Sequence, residues 1–264
     1  MRVFPLLCSV LSLCVATAVG SPATASPDDR VVGGEPVDIS RHPSTVAIMF
    51  KGHPNFEQGC GGTIVAPTKV LSAAHCFFRR GKLRPVSDVT VVVGQTDLTS
   101  APADRKIQPT AIWVHDRYRD VVLGDDIAVL TLPRPVSQPV MPLAGPGDGA
   151  LYRAGTPATV VGWGHTADGG PSSPKHLRQA TVPVYSDQEC ADAYPRYRRA
   201  KQVCAGYPRG GKDACQHDSG GPLTAGGKQI GIVSWGNGCG QPDNPGVYVR
   251  VSEYKALIEQ RLRS

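Results

Sequence analysis

Short runs of apolar and β-branched residues, each bounded by Gly, Pro or polar turn residues, recur along most of this sequence. Runs of this length at this spacing are typical of the strands of an all-β sandwich or barrel. The sequence predicts an all-β fold with strands at residues 45–50, 62–66, 70–74, 89–94, 107–114, 127–132, 156–162, 181–185, 229–235 and 246–251.

Two further features divide the chain. A stretch rich in Pro and Gly at residues 133–149 interrupts the strand pattern and predicts a boundary near residue 140. Residues 252–263 have the periodicity of an amphipathic helix, with Ser252 as the expected N-cap. The apolar face of this predicted helix consists of Tyr254, Leu257, Ile258 and Leu262.

The N-terminus has the pattern of a secretory signal. An apolar run at residues 6–19 follows a basic residue, and it is too short to cross a bilayer. We interpret residues 1–25 as a signal peptide, with cleavage after Ala18 as the alternative. Residues 26–30 would then be a propeptide, and the folded domain would begin at Val31. We expect a secreted, extracellular protein with no membrane attachment after signal removal.

The charge balance excludes one class of partner. The 28 Lys and Arg residues exceed the 22 Asp and Glu residues by six, a mild excess for 264 residues without a dense basic block, so we expect no nucleic-acid partner. One basic cluster contains two interleaved tyrosines: Tyr194, Arg196, Tyr197, Arg198, Arg199 and Lys201. An exosite for an anionic partner is one interpretation, but an exposed loop is favoured because long cationic side chains are mostly solvated.

The cysteine count favours disulfides. Cys8 and Cys14 lie in the apolar run and leave with the signal, so six of the eight cysteines remain. An even set in an exported chain without a CxxC pair indicates three disulfides rather than a metal site, and fifteen pairings are open. We expect no metal and no cofactor.

Three motifs carry a candidate chemistry. His75 ends an apolar run, Asp126 begins the next long one, and Ser219 lies in an Asp-Ser-Gly-Gly-Pro turn. A serine hydroxyl becomes a good nucleophile when an imidazole accepts its proton and a carboxylate orients that imidazole. The order His, Asp, Ser excludes an α/β-hydrolase, in which the acidic residue follows the serine and the histidine comes last.

These motifs resemble the trypsin-like serine endopeptidases of the chymotrypsin family, over the whole mature chain of residues 31–264. The small disulfide set is most similar to that of the bacterial, actinomycete-type secreted trypsins. The resemblance implies His75 as general base and acid, Asp126 as its orienting carboxylate and Ser219 as nucleophile. It also implies two six-stranded antiparallel β-barrels packed across a cleft, at about residues 31–140 and 141–251, followed by the C-terminal helix. By resemblance the disulfides are Cys60–Cys76, Cys190–Cys204 and Cys215–Cys239.

The resemblance extends to activation. The sequence Arg30-Val31-Val32-Gly33-Gly34 is similar to the family's activation junction. Cleavage after Arg30 by an activating protease would free the Val31 ammonium to pair with Asp218, because a buried carboxylate needs a counter-charge. The chain is therefore expected to be a zymogen.

The substrate pocket is also implied by resemblance. Asp213 would lie at its base and Gly236 and Gly246 on its walls, which predicts cleavage after Arg or Lys. Ala214 stands where many trypsins have a serine hydroxyl, so Arg is expected to be preferred. Ser234 and Trp235 would lie on the strand that receives the substrate backbone.

One residue departs from the family pattern. His217 replaces the usual Gly two positions before the nucleophile, and its N–H would form the oxyanion hole with that of Ser219. We expect an active monomeric endopeptidase on which protein inhibitors bind weakly. The alternatives are a catalytically impaired, protease-like binding protein, in which His217 has spoiled the hole, and a structural or adhesive β-protein.

Overall fold

The computed structural model describes Met1 and residues 32–51, 58–79, 81–170 and 175–263, apart from the side chains of Gln58 and Arg79. Apart from Met1, the predicted signal peptide lies outside the described residues, as do the propeptide with Arg30 and the following Val31. The described chain is dominated by β-strands, as the sequence predicts.

The strands are, in chain order, β1 (Glu35–Pro36), β2 (Thr45–Phe50), β3 (Gln58–Ala66), β4 (Lys69–Ser72), β5 (Phe78–Arg79), β6 (Lys82–Leu83), β7 (Val89–Val93), β8 (Lys106–Ile107), β9 (Ala111–Val114), β10 (Ala128–Thr131), β11 (Pro157–Gly162), β12 (Arg178–Pro183), β13 (Gln202–Ala205), β14 (Pro222–Ala225), β15 (Lys228–Trp235) and β16 (Gly246–Arg250). The α-helices are α1 (Asp187–Ala193) and α2 (Val251–Leu262). Short 3-10 helices lie at Ile39–Arg41, Ala74–Phe77, Val86–Asp88, Leu98–Ser100, Ala103–Arg105, Val121–Leu123 and Pro146–Tyr152.

The strands form two antiparallel sheets and one small hairpin, β5-β6. The first sheet has the order β8-β7-β2-β3-β4-β10-β9, and the second has the order β1-β12-β11-β14-β15-β16-β13. Each therefore has seven strands rather than the expected six. The additional strand in each is a two-residue edge strand, β8 or β1, so the six longer strands match the predicted barrels.

In each sheet the two opposite edges lie close together. In the second sheet the residues after β12 pair with β13, where the Tyr185 N–H donates to the Cys204 carbonyl (2.9 Å) and the Gly206 N–H to that of Pro183 (3.0 Å). In the first sheet the opposite edge strands β8 and β9 are joined by only three residues, which requires the two edges to be close. The fold is consistent with the double barrel that the resemblance implies.

The N-terminal strand β1 and the C-terminal helix α2 each contact the opposite half of the chain. β1 belongs by sequence to the predicted first barrel but pairs with β12 of the second sheet, so the boundary at residue 140 does not separate the sheets cleanly. In the other direction, α2 follows the second sheet and packs beside the first. Its Tyr254 hydroxyl donates to Asp125 Oδ1 (2.9 Å), and the Arg261 guanidinium lies 4.6 Å from the centre of the Trp113 ring.

The structure corrects several local predictions. The strand predicted at residues 107–114 is two strands, because Pro109 has no N–H to donate to a ladder. Ser252 is not the N-cap of α2: the helix begins one residue earlier, and the Ser252 N–H donates to the Tyr152 hydroxyl (3.1 Å). The sequence did not predict β1, β5, β6, β13, β14 and α1. For α1 a signal was present, since Ser186 and Glu189 form a capping box.

The basic cluster is only partly the exposed loop that was favoured. Arg196, Arg198 and Arg199 are exposed, as expected. Lys201 instead turns inward, where its Nζ lies 2.7 Å from Asp125 Oδ2 of the first half of the chain. The Tyr194 ring is buried, and its hydroxyl donates to the Pro245 carbonyl (2.9 Å).

Candidate active site

Three chain segments meet where the two sheets face each other. His75 lies in the 3-10 helix that follows β4, Asp126 lies just before β10, and Ser219 lies in the turn before β14. A close approach at Gly220 allows this meeting. Gly220 has φ +82°, and a Cβ there would lie 2.2 Å from Ser72 Oγ. Glycine therefore permits the turn of the second sheet to rest directly on the strands of the first.

The Asp126 carboxylate is completely buried and receives three hydrogen bonds. The His75 N–H donates to Oδ1 (2.8 Å), and His75 Nδ1 (2.7 Å) and Ser234 Oγ (2.6 Å) donate to Oδ2. Burial alone would raise the pKa of Asp126, but the His75 ring and these donors outweigh it and hold the pKa below its ordinary value. The carboxylate therefore stays ionised and fixes the ring of His75.

The pKa of His75 is raised above its ordinary value. Burial by itself would lower this pKa, but the negative charge of Asp126 and its hydrogen bond to Nδ1 outweigh burial. With Nδ1 committed as donor to Asp126, Nε2 is the nitrogen left to accept a proton. The side chain is 23% exposed, which gives a substrate access to it.

Ser219 is anchored by its backbone beside this pair. Its carbonyl accepts a hydrogen bond from the Gly61 N–H (2.7 Å). Cys76 Sγ, in the disulfide with Cys60, lies 3.6 Å from the Ser219 carbonyl oxygen and 3.9 Å from His75 Nε2. Ser219 Oγ makes no hydrogen bond to His75 within the described part of the chain, and such bonds commonly tighten only when substrate binds.

His217 has the backbone conformation for which glycine is usually selected. Its φ is +76°, in the left-handed region, which a residue with a Cβ adopts at a cost of about 1–2 kcal/mol. Its ring lies edge to face against His165, with 4.7 Å between the ring centres. His165 was not a predicted site residue, because nothing in the local sequence indicates that residues 52 positions apart are in contact.

Ser219 also lines a cavity of about 160 Å³. Asp213, 2% exposed, lies on this cavity, and its Oδ2 accepts from the Gly240 N–H (3.0 Å). Its Oδ1 has no hydrogen-bond partner among the described residues, and burial raises its pKa to about 7. An unpaired buried carboxylate oxygen of this kind is a recognition group for a cation.

The cavity walls contain the other predicted pocket residues. They are Ala214, Ser234, Trp235, Gly236 and Gly246. A Cβ on Gly246 would lie 2.5 Å from Asp213 Oδ1, so glycine keeps the approach to the carboxylate open. Trp235 packs against the Tyr194 ring, with 4.8 Å between the ring centres. The Tyr248 hydroxyl, a lining group that the sequence did not indicate, is also buried without a partner among the described residues.

Asp218, between His217 and Ser219, points away from the cavity into the protein. Its carboxylate accepts from the backbone N–H groups of Gly164 (2.7 Å) and Cys215 (2.9 Å). Burial raises the pKa of Asp218 to about 7. Neither of these donors is a cation, so the charge is only partly compensated by the described residues. Its proposed partner, Val31, lies outside them.

The six cysteines form the disulfides Cys60–Cys76, Cys190–Cys204 and Cys215–Cys239, which are the pairs that the resemblance implies. The first lies beside His75, and the third lies on the cavity wall. Two clusters of possible metal ligands occur among the described residues, and each contains two disulfide cysteines. A disulfide sulfur is not a thiolate and is a poor metal ligand.

Comparison with known proteins identifies the family. The family model for trypsin matches residues 31–258. The chain belongs to the trypsin family. It is 44% identical to a trypsin of Saccharopolyspora erythraea over 89% of this chain and 99% of that protein. It is 37% identical to a trypsin of Squalus acanthias (90% and 98%) and to a vitellin-degrading protease of Bombyx mori (93% and 90%).

The protein is therefore a trypsin-like serine endopeptidase, a hydrolase whose substrates are proteins. The higher identity to a bacterial trypsin agrees with the predicted similarity to the bacterial, actinomycete-type trypsins. The comparisons give no support to the impaired binding protein or to an adhesive protein. No helix among the described residues is long and apolar enough to span a membrane.

The His75–Asp126 contact generates a prediction about proton affinity. In the unmodified protein, NMR titration of the imidazole should give a His75 pKa above 6.5. In Asp126→Asn the attraction is lost while burial remains, so the pKa should fall below 6.5. The exposed Asp116→Asn variant should leave the titration unchanged. A His75 pKa that does not move in Asp126→Asn would contradict the assigned cause.

Proposed function

We propose that this chain is secreted as a zymogen and, once activated, hydrolyses peptide bonds after Arg, and less efficiently after Lys, through an acyl-enzyme. One observation carries the proposal: Ser219 lines the same cavity as Asp213, whose Oδ1 has no hydrogen-bond partner among the described residues. A cationic side chain bound by Asp213 would bring the bond that follows it to Ser219.

In the proposed mechanism Ser219 Oγ attacks the carbonyl carbon of the scissile bond and transfers its proton to His75 Nε2. Asp126 keeps the ring oriented and stabilises the imidazolium. His75 then donates this proton to the leaving amine as the C–N bond breaks. A water molecule, deprotonated by His75, hydrolyses the resulting ester and restores Ser219.

The oxyanion of each tetrahedral intermediate would be bound by the N–H groups of His217 and Ser219. The left-handed φ of His217 supports a working hole, because the backbone follows a path suited to glycine despite the side chain. The side chain rests against His165 and would crowd only the side of the site that receives the leaving group. Protein inhibitors, which fill that side, should therefore bind weakly.

The preference for Arg follows from the pocket. A guanidinium can reach a carboxylate with two direct hydrogen bonds, whereas the shorter Lys ammonium depends on a water or a neighbouring hydroxyl. Ala214 supplies no hydroxyl beside Asp213. Ser234 and Trp235 would hold the substrate backbone as an added antiparallel strand.

Activation is proposed to occur by cleavage between Arg30 and Val31. The new Val31 ammonium would supply the cation that Asp218 lacks among the described residues. The next residue already contacts the pocket loop, since the Val32 carbonyl accepts from the Asp213 N–H (3.2 Å). The negative charges of Asp28 and Asp29 disfavour binding of this segment to a site that selects cations, so self-cleavage is unfavourable. Another protease is therefore expected to cut here.

The central test is active-site titration with a fluorophosphonate reagent. The full-length secreted chain should be labelled only after treatment with a trace of trypsin, which is then removed, and labelling should coincide with a new N-terminus Val31-Val32-Gly33. Ser219→Ala should abolish labelling and turnover. Active material that begins at Ser26 would contradict the zymogen, and a labelled Ser219→Ala would contradict the nucleophile.

The pocket is tested with matched peptide substrates that differ only in Arg or Lys before the scissile bond. We expect a preference for Arg of about tenfold in kcat/KM. Asp213→Ala should lower kcat/KM for Arg by at least about a hundredfold, because the bound cation loses its buried partner. The matched variant Ala214→Ser should reduce the preference for Arg, because the added hydroxyl should raise kcat/KM for the Lys substrate. Equal cleavage after Arg and Lys in the unmodified enzyme would refute the argument.

His217→Gly separates a working oxyanion hole from a spoiled one. If the hole works, turnover of a small arginine anilide should change little, while a substrate-like protein inhibitor should bind at least about tenfold more tightly. If the hole is spoiled, turnover itself should rise by roughly a hundredfold or more, the usual scale for one restored donor. A large gain in turnover without a change in inhibitor affinity would overturn our interpretation.

A further inference from the structure

We propose that the ion pair between Lys201 and Asp125, together with Gln202, positions the catalytic carboxylate of Asp126. These residues belong to opposite halves of the chain, and none of the three is part of the proposed triad. The inference rests on the proposed role of Asp126 and deepens it. It also assigns a function to Lys201, the one cationic residue of the basic cluster that turns inward.

The loop that leads to Asp126 has little apolar anchoring. It consists of the 3-10 helix Val121–Leu123, in which no residue is fully buried, followed by Gly124 and Asp125 with φ values of +80° and +59°. The left-handed conformation is unfavourable for Asp125. Its carbonyl accepts from the Ile127 N–H (2.9 Å), which closes a three-residue turn centred on Asp126. The backbone of Asp125 therefore sets the direction in which Asp126 leaves the loop.

Polar contacts from other elements hold Asp125, which is 4% exposed. Lys201 Nζ donates to Oδ2 (2.7 Å), and the Tyr254 hydroxyl of α2 donates to Oδ1 (2.9 Å). His115 Nε2 and the Arg117 guanidinium also face Oδ1, at 3.8 and 3.7 Å. Burial alone would raise the pKa of Asp125, but the bonds from Lys201 and Tyr254 outweigh it and keep the pKa low.

Gln202 extends this attachment along the loop. The residue is 1% exposed, and its Nε2 donates to the carbonyls of Val121 (3.2 Å) and Val122 (3.4 Å). The backbone of Gln202 is fixed by pairing with Val249 in the second sheet. Lys201, the residue before Gln202, packs against Gly124. A Cβ at Gly124 would lie 2.9 Å from Lys201 Cδ, so glycine leaves room for the Lys201 side chain. Gln202 of β13 therefore holds the start of the loop at Val121 and Val122, and the preceding Lys201 holds its end at Asp125.

A surface ion pair would contribute little, but this pair differs because the carboxylate is buried. Removing Lys201 would leave Oδ2 of this buried carboxylate without its hydrogen-bond donor among the described residues, since Tyr254 and Arg117 face Oδ1, and such a loss is strongly unfavourable. The loop would relieve it by turning Asp125 toward water, and the turn at Asp126 would move with it. Lys201 is accordingly a positioning residue, which acts on His75 only through Asp126.

The experiment compares three variants of the activated enzyme: Lys201→Met, the double variant Lys201→Met/Asp125→Asn, and the exposed control Arg196→Met from the same loop. Rates on an arginine anilide are divided by titrated active sites, which removes any loss due to unfolding. The proton resonance of the His75 Nδ1 hydrogen reports directly on the contact with Asp126. Should Lys201→Met fail to fold, Lys201→Gln replaces it under the same criteria.

In Lys201→Met we expect kcat to fall about tenfold with KM within twofold, because the pocket is untouched, and the Nδ1 resonance to shift or broaden. The double variant should recover most of the loss, since it holds no buried carboxylate that lacks the Lys201 donor, and Asn tolerates the left-handed conformation as Asp does. An unchanged kcat and resonance in Lys201→Met, an equal loss in Arg196→Met, or no recovery in the double variant would overturn the proposal. Activity in Ser219→Ala would instead overturn the proposed function.

Discussion

The buried carboxylate of Asp126 is the contact on which the rest of the site depends. It has no exposed surface, and its donors come from both sheets: His75 follows a strand of the first, and Ser234 lies on a strand of the second. Burying an ionised carboxylate is unfavourable unless hydrogen bonds replace its lost water. The ionised carboxylate of Asp126 therefore requires the two sheets to pack in the position that brings both donors to it. The same packing places the imidazole at the cleft beside Ser219.

Two further buried carboxylates have the opposite electrostatic character. The pKa of Asp126 is held down by a histidine and a hydroxyl, whereas burial raises the pKa values of Asp213 and Asp218 to about 7. The difference is in their partners, since Asp126 has the His75 ring while the described partners of the other two are backbone N–H groups. One acid is thus already paired, and two are suited to receive a cation from outside the described structure. For Asp213 the proposed cation is the substrate, and for Asp218 it is the new N-terminus.

Local sequence predicted most strands, the C-terminal helix and the segments that meet at the site, because strand periodicity and short motifs are properties of neighbouring residues. It failed where the structure depends on distant contacts. The pairing of β1 with β12 and the inward turn of Lys201 depend on residues brought together only by the fold. The contacts of His165 with His217 and of Ser234 with Asp126 are of the same kind. For α1 a local signal was present, since Ser186 and Glu189 have the spacing of a capping box, but the helix was not predicted.

Backbone strain is concentrated beside two of the three groups in the proposed triad. Asp125 directly precedes Asp126, and His217 lies two residues before Ser219; both have left-handed φ values without being glycine. Each such residue is disfavoured by about 1–2 kcal/mol, so surrounding contacts must hold it in place. At Asp125 these contacts are the ion pair with Lys201, which directly precedes β13 of the opposite sheet, and a hydrogen bond from the Tyr254 hydroxyl of α2, whereas at His217 the neighbouring ring of His165 is in contact. The strained turns therefore direct Asp126 and Ser219 into the cleft only when both halves of the chain are folded and packed together. The site can form only once the fold is complete.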